Sequence, residues 1–204
     1  MATYTSRLTS SGMLNNPYWY DPVLNPFYPT YGLPNCTCYV WGRCYEYLNQ
    51  WPAGLYTGDA GTWWNYSTWQ HGSVPKLGAV LCLAGGPYSG RGHVAVVEKI
   101  YSDGSIQCSN SAYDRNPATM AQSYFYLRSG DQSDNWGYPE YTLQGFLYNP
   151  FIDFDPEIDP GPGPGPGPGP GPEPPEPGQY PTRLLLYKKQ FYRNQGRRIN
   201  DFYC

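Results

Sequence analysis

Cysteine and histidine are the side chains best suited to covalent and acid–base chemistry near neutral pH, and this 204-residue chain holds six of the first and two of the second. Three of the cysteines, Cys36, Cys38 and Cys44, fall in one stretch, PNCTCYVWGRCYEYL. Their spacing, one and then five intervening residues with no following CxxC or HxxxH, is poor for zinc. Cys36 follows Pro34 and Asn35, so a helix is expected to start there with Asn35 as its cap. A thiol in the first helical turn meets unpaired N–H groups and the positive end of the helix dipole, and both favour the thiolate. Cys38 sits about 200° further round the helix and Cys44 two turns on, so neither shares a site with Cys36. On spacing alone Cys36 is either a nucleophile or a buried structural thiol.

A nucleophilic thiol needs a base. His71, in TWQHGSVP, has the context of a surface turn. His93 opens the apolar run HVAVVEKI straight after Gly90-Arg91-Gly92, where a glycine-rich turn lets another element approach closely. Alternation places His93, Ala95 and Val97 on one face of a strand. In the next such run, SIQCSNSAY, Cys108 and Asn110 share a face, and an Asn carbonyl can hold an imidazole N–H. Each residue also has a plain structural reading: a packed strand histidine, a turn asparagine.

The elements that must position these groups are legible in outline. A helix is expected over 36–50 and a second short one over 62–70. Short β-type runs follow at 79–83, 93–100 and 105–109, separated by GGPYSGRG and SDGS, and form an antiparallel meander. Further strands are expected near 124–128 and 145–147. One helix followed by a sheet is an α+β arrangement. The aromatic pair Trp63-Trp64 reads either as the wall of a groove or as core packing.

Composition sets the limits. Aromatic residues make up 18% of the chain and charged residues only 14%. No run approaches the length of a membrane span, and the N-terminus shows no signal-peptide pattern, so export is expected by another route. Six Gly-Pro dipeptides from Gly161 to Pro172 exclude helix and sheet, and their period of two excludes collagen. The chain therefore divides into an irregular arm (1–24), a main domain (25–154), a Gly/Pro-rich linker (155–181) and a basic C-terminal peptide (182–204). Residues 1–160 carry 7 basic and 13 acidic groups, net −6, and the segment from 179 onward six basic and one acidic, net +5. So short a tail cannot bury a core, and it is expected to be a docking peptide or a loose basic arm rather than a second domain. Nucleic acid is not expected, because the acidic main domain would be repelled.

Together, PNCTCYVWGR, PKLGAVLCL, GRGHVAVVEKI and SIQCSNSAY resemble the CHAP family of cysteine, histidine-dependent amidohydrolases/peptidases, over about residues 25–150. That family's pattern is xCTxYAW at the helix start, PxxGD/A before a strand, GHVAIV at the histidine strand and E-x-N on the next. The resemblance implies a papain-like fold that cleaves amide bonds of peptidoglycan, with Cys36 as nucleophile, His93 as general base and Asn110 as orienting group. It gives Cys38 a packing position. The family's frequent Glu is Cys108 here, which leaves Asn110 to hold His93 alone. A second oxyanion donor is expected from the segment before the helix, at Tyr31, and substrate contacts at Trp63 and Trp64. Asp131 and Asp134 do not form the calcium loop of some relatives, and no metal or other cofactor is expected. Such an enzyme suits a bacteriophage lysin: a virion tail protein whose C-terminal peptide docks on another virion protein, a free endolysin released to the wall, or a catalytically inactive wall-binding module.

Overall fold

The structure, a computed structural model, describes residues 4–152 except Tyr88. The Gly-Pro linker and the basic C-terminal peptide lie outside the described residues.

Among the described residues, three α-helices and six strands alternate with turns. Helix α1 (Pro17–Tyr20) is a single turn in the N-terminal arm, and α2 (Cys36–Leu48) is the long helix. Asn35 caps α2 by accepting the Cys38 N–H at 3.0 Å, and Asn49 ends it in the left-handed conformation. Helix α3 (Trp63–Tyr66) follows a 3₁₀ turn at Ala60–Thr62. The strands are β1 (Gln70–Gly72), β2 (Val80–Ala84), β3 (His93–Ile100), β4 (Ile106–Asn110), β5 (Tyr126–Gly130) and β6 (Thr142–Tyr148). They form one antiparallel sheet in the order β1-β6-β2-β3-β4-β5.

The meander β2 to β5 and the α+β class agree with the sequence. The expected helix over 62–70 does not run through: Ser67 turns extended, and 70–72 leaves to pair with β6 as an edge strand. The final strand is longer than expected and crosses back to lie between β1 and β2.

Strands β2 and β3 are buried on both faces, which is why they read as unbroken apolar runs. On one face Val80, Cys82, Val94 and Val96 pack under α2, against Tyr39, Val40 and Cys44. On the other, Leu81, Leu83, Ala95, Val97, Ile106 and Cys108 pack against Tyr138 and Phe146. Fully burying an aliphatic side chain of this size stabilises by roughly 1.5–3 kcal/mol, so α2 is held firmly on the sheet. Gly42 lets the arm join this core, since a Cβ there would meet the Trp19 ring at 2.4 Å. The Trp19 indole N–H reaches the Tyr39 carbonyl at 2.9 Å.

A buried polar cluster ties the arm to the sheet. Glu98 accepts from Arg43 Nε at 2.9 Å, Ser109 Oγ at 2.5 Å, Tyr4 Oη at 2.5 Å and the Arg7 N–H at 2.7 Å. Tyr39 Oη donates to Ser109 Oγ at 2.8 Å, so α2, β3, β4 and the arm meet at one carboxylate. Every donor is matched, as burial of a charge requires.

Candidate active site

Cys36 is the first residue of α2, and only 8% of it is exposed. Backbone N–H groups of Val94, Thr37 and Cys36 itself aim at its sulfur and favour the thiolate, as the helix start predicts. Burial against the sheet is the larger effect, and the thiol is pushed up to about 11, with the Asp59 charge adding to the rise. The expectation of a ready thiolate is therefore corrected: the dipole helps, and desolvation outweighs it. Burial pushes Cys38, Cys44, Cys82 and Cys108 up as well, as it does for thiols that only pack.

His93 is the first residue of β3 and points to the face opposite α2's core, between the rings of Tyr138 and Tyr141 at 5.3 and 5.6 Å. Its Nε2 lies 3.0 Å from Asn110 Oδ1. The Asn110 amide donates its Nδ2–H to the Tyr126 carbonyl at 3.0 Å, which fixes the oxygen as the atom facing histidine. Asn110 Oδ1 can only accept, so Nε2 carries the proton and Nδ1 keeps the lone pair of a base. Burial lowers the imidazole to about 4, against a smaller upward effect of the Asn110 bond. At neutral pH the site holds a thiol and a neutral imidazole.

Val94 joins the two halves. Its N–H faces the Cys36 sulfur while its neighbour is His93, so the helix start and the strand start meet at one point. Segments flanking the site reinforce this. The Asn35 N–H donates to Ser111 Oγ at 3.1 Å, and Ser111 Oγ donates to the Ser123 carbonyl at 2.7 Å. Arg115 donates to the carbonyls of Tyr31 (2.5 Å) and Pro34 (3.4 Å) while stacking on Tyr113 at 4.6 Å. No sequence signal marked Ser111 or Arg115.

The remaining expected residues are placed as follows. The Tyr31 N–H bonds the Phe27 carbonyl at 2.9 Å, and its side chain is exposed. Trp63 is fully buried against Phe27 and donates to the Gly58 carbonyl at 3.0 Å, so it offers no face to a ligand. Trp64 is half-buried, edge-on to His71 at 4.5 Å. His71 lies on the exposed strand β1 with Nε2 at 2.6 Å from the Trp64 carbonyl, apart from the thiol–imidazole–amide group. Asp131 and Asp134 accept backbone N–H groups in a capping box. Cys108 packs in the core where the family pattern has Glu.

The α+β domain thus holds a thiol at a helix start and an amide-bonded imidazole at a strand start, joined through Val94. The CHAP domain model matches residues 26–112, a span holding Cys36, His93 and Asn110. The chain is similar to N-acetylmuramoyl-L-alanine amidase sle1 of Staphylococcus epidermidis, at 32% identity over 101 residues (45% of this chain, 30% of that protein). It is also similar to a protein of that name from Staphylococcus haemolyticus, at 27% over 127 residues (58% and 33%), and to a probable autolysin, SsaALP, of Staphylococcus aureus, at 33% over 93 residues (44% and 33%). Among solved structures, an N-acetylmuramoyl-L-alanine amidase from Staphylococcus aureus aligns at 25% identity and a TM-score of 0.38, covering 55% of this chain and 30% of that one. The chain spans about a third of the length of these curated relatives.

Proposed function

We propose that this chain is a peptidoglycan hydrolase that cleaves an amide bond of the bacterial cell wall through Cys36, His93 and Asn110. The observation that carries the proposal is the His93–Asn110 bond at 3.0 Å, with the amide pinned by Tyr126, on the strand whose second residue touches the Cys36 sulfur. It leaves Nδ1 as the base and needs no carboxylate.

The neutral pair dictates the order of events. The Cys36 proton passes to Nδ1 as the sulfur attacks the amide carbonyl, since the thiolate is not populated beforehand. The Cys36 N–H at the helix start is placed to meet the oxyanion. The Tyr31 N–H is already engaged, so Tyr31 would serve there through its hydroxyl. His93 then protonates the leaving amine, and the thioester is hydrolysed by water activated at the same nitrogen.

The names of the relatives favour the N-acetylmuramoyl–L-alanine bond over one within the stem or cross-bridge peptide. Clearing of wall-embedded gels by the wild type and not by Cys36→Ala tests the assignment. Wall binding without clearing by the wild type would favour an inactive wall-binding module, the reading that the missing Glu supports. A virion-tail setting is proposed on the Gly-Pro spacer and basic peptide alone, and co-purification of the full chain with tail particles tests it against a free endolysin.

A further inference from the structure

We infer that the cleft beside His93 is the amine-side subsite of this active site, and that it takes a peptide bearing both a carboxylate and an amine. The inference rests on the hydrolase reading above and names the part of the substrate that it would hold. The cleft has a volume of about 430 Å³ and is lined by Asp59, Gly61, Thr62, Gly85, Gly90 and Arg91, among others.

Its position follows from the chain. Arg91 lies two residues before His93, and its carbonyl accepts the Gly61 N–H at 2.8 Å. Asp59 pairs with Arg91, and its charge adds to the rise of the Cys36 thiol. The histidine gives its proton to the leaving amine, so the chain attached to that amine runs past the histidine, and the cleft is built from the segment leading into that residue.

The cleft is kept open by missing side chains. A Cβ at Gly85 or Gly90 would meet nothing within 4 Å, so these positions face open volume. Behind them the walls are packed backbone to backbone: a Cβ at Gly92 would stand 2.4 Å from Gly61 Cα and from the Leu83 carbonyl.

Its charges are a matched pair. Arg91 Nη1 lies 2.8 Å from Asp59 Oδ2, with the side chains 65% and 46% exposed. So exposed a pair adds little to the stability of the fold and is readily exchanged for charges on a ligand. Arg91 would take a carboxylate on its planar fork and Asp59 an ammonium group. Wall stem peptides carry both.

The test uses the full chain with Cys36→Ala, so that binding is read without turnover. It is titrated with synthetic L-alanyl-γ-D-glutamyl-L-lysine, then with the same peptide amidated at its carboxylates or acetylated at the lysine amine. Each neutralisation should weaken binding about fivefold, as expected for loss of one charge-assisted contact at an exposed site. Adding Arg91→Ala should abolish the carboxylate preference, and adding Asp59→Asn the amine preference. Equal binding of free and neutralised peptides, equal weakening of all three by either variant, or no binding at millimolar peptide would overturn the subsite. Failure of the wild type to clear walls would instead overturn the hydrolase reading.

Discussion

The residue before Cys36 is bonded to the residue after Asn110: Asn35 gives its backbone N–H to Ser111 Oγ at 3.1 Å. This bond closes a loop from Cys36 through the helix cap to Asn110 and back to His93. The relative placement of thiol and imidazole is thereby set by hydrogen bonds as well as by packing.

Ser111→Ala should therefore harm catalysis beyond its cost in stability. It strands a buried Asn35 N–H, which costs about 1–3 kcal/mol. Denaturant unfolding measures that cost. Steady-state kinetics should show kcat falling with KM little changed, because the reacting groups and not the substrate contacts are displaced. A rise in KM at constant kcat would contradict the positioning role.

Asn110 is the side chain bonded to His93 Nε2, with no carboxylate beside it. Asn110→Ala should lower kcat/KM about 10–100-fold, the usual loss when a partner that orients a functional imidazole is removed. Asn110→Asp places a negative charge on Nε2–H, favours the imidazolium, and should move the acid limb of the kcat/KM profile to higher pH. An acid limb unmoved in Asn110→Asp would show that the contact at 3.0 Å does not govern the base.

The pH dependence of stability follows from the same burial. His93 is held near 4 against an ordinary 6.5, so the unfolded chain binds more protons between those values. Stability contributed by the neutral imidazole is complete above about pH 6.5 and is lost as pH falls towards 4, by about 3 kcal/mol in all. Cys36 acts at the other end: its thiol is raised from 9.0 to about 11, so its contribution is intact below pH 9 and lost as pH rises to 11. Urea midpoints from pH 4 to 7 should rise more steeply in the wild type than in His93→Gln. Parallel curves would contradict the buried neutral imidazole.

Gly42 should resist the substitution that helix propensity favours. Alanine gains about 1 kcal/mol in a helix interior, but its Cβ would lie 2.4 Å from the Trp19 ring. Overpacking of this kind costs about 1–3 kcal/mol, and displacing Trp19 also strains the arm that meets Glu98. A lower thermal midpoint for Gly42→Ala is the expected result, and a higher one would show that the arm yields freely.

The parts of this site that were legible in the sequence are those set by neighbours along the chain. Asn35 as a cap before Cys36, and His93 at the mouth of an apolar run after glycines, depend on local backbone rules. The face shared by Cys108 and Asn110 depends on strand alternation. What was not legible depends on contacts between distant segments. The thiol of Cys36 is raised because a sheet built from residues 80–148 covers it, which no local rule about helix dipoles contains. Trp63 and Trp64 are adjacent in one short helix, and only the packing of Phe27 decides that the first is core. Ser111, Arg115 and the Asp59–Arg91 pair join segments some 30 to 80 residues apart, and nothing in their local sequence marks them.

Mass spectrometry of purified peptidoglycan digested with the wild type, Cys36→Ala and His93→Ala tests directly whether Cys36 and His93 cleave the wall. The wild type alone should release stem peptides with a new alanine amino terminus. New termini released equally by Cys36→Ala would contradict that role.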